Sequence, residues 1–146
     1  MPESKTEPND PPAVNAVKRI DAASLKEAYM TEPVRYSALQ VVDLAAEGAG
    51  GGDAYRNTVI FQVNDSCLRL AVFNEEYRWH YHPQSDELFV VVDGSLAIDL
   101  ADGREFRLST WQSVTIPRGV VHRTRAIGRT VNLCFEEVAA ETIFTD

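Results

Sequence analysis

His80 and His82 are two positions apart in Trp79-His80-Tyr81-His82, a stretch with strand character, and His122 is the only other histidine in the chain. Side chains at i and i+2 of a strand share a face, so the His80 and His82 imidazoles reach one point in space. Pro83-Gln84-Ser85-Asp86 has the composition of a tight connection, and Glu87 opens the next apolar run. A carboxylate is thereby brought beside the imidazole pair. Imidazole with carboxylate is an ordinary donor set for zinc, iron, manganese and nickel.

Strand parity extends this face. With His80 and His82 inward, Glu76 and Arg78 are expected inward and Tyr77, Trp79 and Tyr81 outward. Glu87, Phe89 and Val91 share the inner face of the following strand, with Leu88, Val90 and Val92 opposite. His122 shares its face with Thr124, leaving Arg123 and Arg125 on the other side. Arg78 beside a metal is a candidate to grip a substrate carboxylate bidentately. Arg118, in the turn before His122, is a second candidate, and Phe89 is a candidate cavity wall. The outward aromatic row is too large to leave uncovered, so packing beneath the N-terminal segment or in a dimer contact is expected.

The elements that would position these residues are strands. The chain has 146 residues, a length for one domain with a real core. Residues 1–14 carry four prolines among polar residues and read as an extended tail. Residues 15–34 form a helical arm, with Asp21–Met30 as its helix, ended by Pro33. Residues 35–146 read as a barrel. Tyr36–Leu44 is strand-like, and 47–53, rich in glycine, reads as a flexible loop. Strands follow at 58–63, 67–73, 77–82, 87–92, 96–100, 104–108, 113–116, 121–125 and 131–136, separated by turn residues. That spacing argues for an all-β antiparallel sandwich or barrel.

Several classes are excluded or disfavoured. No phosphate loop joins a strand to a helix, and no GxSxG elbow is present. A net charge of -8 argues against nucleic acid, although six arginines and one acid, Glu105, fall between Arg104 and Arg129. That segment reads as an anion-facing rim or as a self-complementary surface. The longest apolar run, Leu88–Val92, is too short to span a membrane, and no secretory leader is visible. Cys67 and Cys134 read as reduced core or pocket thiols. A cytoplasmic protein is expected.

The segment from Trp79 to Glu87, followed after six residues by Gly94, resembles the first motif of the cupin superfamily. Pro117-Arg118-Gly119-Val120-Val121-His122 resembles the second, with its PxGxxH core. Asn74, Trp111 and Ala126 stand where the motifs usually have glycine, glycine and asparagine, and a different turn is expected at Trp111. The resemblance is to short type-2 cupins and implies a double-stranded β-helix, or jelly-roll, barrel. It also implies one divalent transition metal (Fe, Mn, Ni or Zn) bound by His80, His82, Glu87 and His122. Four protein ligands leave open coordination positions, which suits an iron dioxygenase or an isomerase, lyase or hydrolase. The substrate is expected to be a small polar or anionic organic molecule. A non-catalytic binding or sensing module and a metal-free barrel are the competing readings. Together with the aromatic row, the resemblance also points to a homodimer.

Overall fold

The computed structural model describes residues 33–50, 52 and 55–146. The tail at 1–14 and nearly all of the arm expected at 15–34 lie outside the described residues. What is described is a pair of antiparallel sheets. The strands are β1 (Arg56–Val63), β2 (Ser66–Phe73), β3 (His80–Tyr81), β4 (Glu87–Asp93), β5 (Ser95–Leu100), β6 (Glu105–Ser109), β7 (Ser113–Ile116), β8 (His122–Ala126), β9 (Thr130–Glu137) and β10 (Ile143–Phe144). One sheet has the order β1-β2-β9-β4-β7 and the other β10-β3-β8-β5-β6. Face to face they make a double-stranded β-helix. Its core joins Phe89 and Val91 of one sheet to Leu96, Ile98 and Leu108 of the other. Among the described residues, no helix is long and apolar enough to cross a membrane.

The first sheet is apolar on both faces for part of its area. Ile60, Leu70, Val72 and Val131 form a second cluster on its outer face, covered by Tyr36, Val42 and Leu44. These covering residues are not a strand, contrary to the expectation for 36–44. Arg35 and Tyr36 donate backbone hydrogen bonds to Val59 and Ile60 of β1, and the chain then turns away with Leu39 at φ 65°. Asp43 caps a short helix, α1 (Leu44–Ala49), its side chain accepting from the Ala46 amide. The helix occupies part of the expected glycine loop. Gly48 is buried there, and a Cβ on it would lie 2.7 Å from Val131 Cγ1. This glycine permits close packing onto the sheet, not looseness.

The β-strands expected at 58–136 all appear, but the one at 77–82 shrinks to His80–Tyr81. Glu76 bridges Arg125, whereas His80 pairs with His122. Four steps on one chain therefore match three on the other, the signature of a bulge. One extra residue inverts parity, which decides where Tyr77 and Arg78 point. The chain end adds β10, paired to β3 through Ile143↔Tyr81 and Phe144↔His80.

Trp111 occupies the position where a glycine was expected to be missed. It adopts φ 66° and leaves its side chain 76% exposed. The turn thus places a bulky residue in the left-handed region that glycine adopts most readily. Gly94 has φ 85°, and a Cβ there would meet the Arg129 carbonyl oxygen at 2.5 Å, so both conformation and space demand glycine.

Candidate metal centre

His80 and His122 face each other across the β3–β8 pair, and their ring centroids are 4.4 Å apart. His82 follows β3, and Glu87 opens β4 of the opposite sheet. One donor atom from each of these four buried residues lies within 4.8 Å of the other three. His82 Nε2 is 3.0 Å from Glu87 Oε2, and His122 Nε2 is 3.4 Å from the same oxygen. Phe89 stands edge-on to His122, at 6.0 Å between centroids.

The other ring nitrogens define the tautomers. Each Nδ1 faces a backbone carbonyl: His80 to Arg78 at 2.7 Å, His82 to Glu141 at 2.9 Å and His122 to Val120 at 2.9 Å. A carbonyl only accepts, so Nδ1 carries the proton, and each Nε2 has a lone pair when the ring is neutral. Orientation of this kind is what metal-binding imidazoles require. His122 Nε2 is buried and has no hydrogen-bond partner. A buried nitrogen with an unmet lone pair beside two imidazoles and a carboxylate fits a divalent transition metal.

Without a metal, the cluster's charges arrange themselves. Burial opposes ionisation of His80 and, with repulsion from His122 and His82, lowers its pKa to about 4. Burial opposes the His82 cation too, but the hydrogen bond to Glu87 and the charges of Glu87 and Glu136 carry its pKa up to about 9. Glu87 is fully buried, which favours its neutral form, yet the His122 and His82 rings hold it well below the usual carboxylate range.

The cluster lies at the wall of a cavity of about 280 Å³. Phe89 lines it as expected. Arg78 does not: its side chain is 56% exposed, pairs with Asp146 at 2.8 Å and lies over the Phe144 ring. The bulge before β3 is the reason, and Arg78 serves the site only through its carbonyl on His80. Glu76 is likewise outside, exposed and 3.5 Å from Arg123. Arg118 braces the turn instead of lining the cavity, its amide donating to Asp86 and its Nε 3.2 Å from the same carboxylate oxygen. Tyr77, expected outward, lines the cavity edge-on to His80 at 5.1 Å. Trp79 is stacked under Arg123. Arg123 and Arg125 do face outward, where both bond Asp99 and hold its pKa down to about 2.

The opposite wall was not anticipated. Arg69 of β2 and Asn132, Cys134 and Glu136 of β9 line the cavity. Arg69 Nε is 3.1 Å from Glu136 Oε1. Glu136 Oε2 is 3.7 Å from His82 Nε2 and buried without a hydrogen-bond partner. Burial, reinforced by the Glu87 charge, raises the Glu136 pKa to about 7. Asn132 Nδ2 donates to Cys134 Sγ at 3.0 Å, and its Oδ1 is buried and unpartnered. Both cysteines are free and buried, as expected. The available signal was polarity at period two in Asn132-Leu133-Cys134-Phe135-Glu136. Here the polar side faces in, the reverse of the usual rule.

A cupin domain model matches residues 72–135. The uncharacterized protein YdbB of Bacillus subtilis (strain 168) is 51% identical over 94 residues, covering 64% of this chain and 83% of that protein. The polyketide synthase CurC of Streptomyces cyaneus is 47% identical over 101 residues, and the chain spans only 65% of it. Among solved structures, a Klebsiella pneumoniae protein with a double-stranded β-helix domain aligns with a TM-score of 0.63 at 15% identity, covering 74% of this chain and 93% of that one.

Proposed function

The chain belongs to the cupin family, and from that premise we propose that it is a metalloenzyme acting on a small organic molecule. His80, His82, Glu87 and His122 would hold one divalent transition metal, with iron, manganese, nickel and zinc all suited to the donor set. The observation that carries this reading is the fixed orientation of the three imidazoles, each with Nδ1 engaged by a backbone carbonyl and Nε2 turned into the cluster. Bound there, the metal supplies Lewis acidity for isomerase, lyase or hydrolase chemistry, or redox chemistry if it is iron.

The protein's own groups do the rest. Glu87 contributes a negative charge at the floor of the cavity. Phe89 and Tyr77 flank the histidines with apolar surface that limits water and strengthens polar contacts. An anchoring arginine for an anionic substrate, expected at Arg78, loses its support with that side chain at the surface.

Metal analysis of natively expressed protein is the first test. Stoichiometric Fe, Mn, Ni or Zn is expected, together with turnover of some member of a panel of small hydroxylated and carbonyl compounds. Absence of metal overturns the reading, and tight metal and ligand binding without turnover favours a binding module.

We further propose a homodimer and a cytoplasmic location. The support for the dimer is no longer the aromatic row but the outer face of the first sheet, where Leu68, Phe135 and Leu88 lie in one cross-strand register and Phe135 is 37% exposed. The free, buried cysteines support a reducing compartment. Light scattering of wild type and Phe135→Glu tests the dimer: wild type should be dimeric and the variant monomeric.

A further inference from the structure

Buried polar groups almost always have partners, and those that lack one mark a strain or a binding role. In this cavity two acceptors on β9 lack one, Glu136 Oε2 and Asn132 Oδ1. Both residues line the same space as the histidine cluster. Four strand steps separate their Cα atoms by roughly 13 Å, too far for one hydroxyl to serve both. Nearest the cluster is Glu136, its Oε2 being 3.7 Å from His82 Nε2.

Charge completes the picture. Among the described residues lining the cavity, Arg69 is the one arginine or lysine, and Glu136 already neutralises it at 3.1 Å. Their side chains are each 10% exposed, so solvent does little to weaken the pair. A substrate carboxylate would meet no unspent cation on this wall. A hydroxyl would meet acceptors waiting for it. Phe73, Tyr77 and Phe89 offer apolar surface to the remainder of such a molecule.

We propose that the β9 wall is a hydroxyl-reading subsite, in which Glu136 Oε2, and Asn132 Oδ1 beyond it, accept hydrogen bonds from an uncharged, hydroxyl-bearing organic molecule held at the histidine cluster. Arg69 is a positioning residue that fixes the Glu136 carboxylate. The inference rests on the metalloenzyme reading and deepens it by naming the substrate class.

Titration calorimetry of the zinc-loaded full chain under nitrogen tests it with two probes, pyrogallol and 3-methoxycatechol. Both offer adjacent ring oxygens, but the second has one hydroxyl donor capped by methyl. Wild type should bind pyrogallol roughly ten-fold more tightly, about the net worth of one hydrogen bond. Glu136→Gln should shrink that preference to below about three-fold, whereas Asn132→Val should leave it unchanged, because the probes differ in one hydroxyl only. Arg69→Leu/Glu136→Leu removes both partners of the pair together and should abolish it, with zinc content unchanged. Equal affinities in wild type, or a preference that survives in the double variant, overturns the subsite while zinc retention leaves the metal reading standing. Failure of the wild type to retain zinc overturns both.

Discussion

On the β3–β8 side of the cavity, every imidazole Nδ1 has a backbone carbonyl within 2.9 Å. On the β9 side, two buried oxygens have no hydrogen-bond partner. The first wall is completed by the chain itself and presents lone pairs in a fixed direction. The second is left incomplete, at a cost that folding alone would not select. The proposed function would call for this division: rigidity where an ion would sit, unmet hydrogen bonds where an exchangeable molecule would rest.

The largest effects are expected at the rigid wall. Removing any one imidazole, by His80→Ala, His82→Ala or His122→Ala, should weaken metal binding by roughly 100-fold or more, since even supporting residues cost 10–100-fold. Metal content after dialysis measures it. Full metal retention in a His80→Ala/His82→Ala double variant would sink the assignment.

Phe89→Ala removes the ring that packs edge-on against His122 in the core. It should destabilise the fold by about 3–5 kcal/mol, read from denaturant unfolding. An effect under 1 kcal/mol would mean that the histidine wall is not held by packing.

Proton release distinguishes the histidines of the rigid wall from one another. At pH 7 in the metal-free protein, His80, with its pKa near 4, is neutral, while His82, with its pKa near 9, is protonated. Metal binding at pH 7 should therefore expel about one proton from His82, and affinity should rise as pH increases toward 9. Calorimetry in buffers of different ionisation enthalpy counts that proton. The same shift has a sign for folding. The His82 pKa is raised in the folded state, so its contribution to metal-free stability is complete below the unfolded value of about 6.5 and is lost as pH rises through 9.

The smallest effect should come from Arg78→Met. The ion pair with Asp146 is half exposed, and solvent screens such pairs so strongly that they contribute little. Metal content should not change. Loss of metal would show that Arg78 does more than lend its carbonyl.

Strand positions between β1 and β9 were legible because turn residues punctuate the apolar runs, and the four clustered residues were legible from the two motifs. Arg78 and Tyr77 were misplaced because a bulge carries no composition signal, while parity rules assume an unbroken strand. Asn132 and Glu136 were overlooked for another reason. Their strand alternates as a half-solvated strand does, and only the covering of Leu70, Val72 and Val131 by Tyr36, Val42 and Leu44 shows that its apolar side is the outer one. Helix α1 was mistaken for a loop because Gly48 was read as freedom when it is close contact.

His82 owes its orientation to the Glu141 carbonyl, and the next residues lie along β3, with Phe144 opposite His80 and the Thr145 amide bonded to Trp79. The last turn of chain and the metal donors are therefore thermodynamically linked: whatever fixes one must tighten the other. Loading with metal should slow hydrogen exchange at the Thr145 amide, and fraying of the C-terminal strand should raise the rate at which metal escapes. With a metal bound, a segment remote in sequence from the first motif would act as its latch, and metal residence time would measure how firmly that segment is docked.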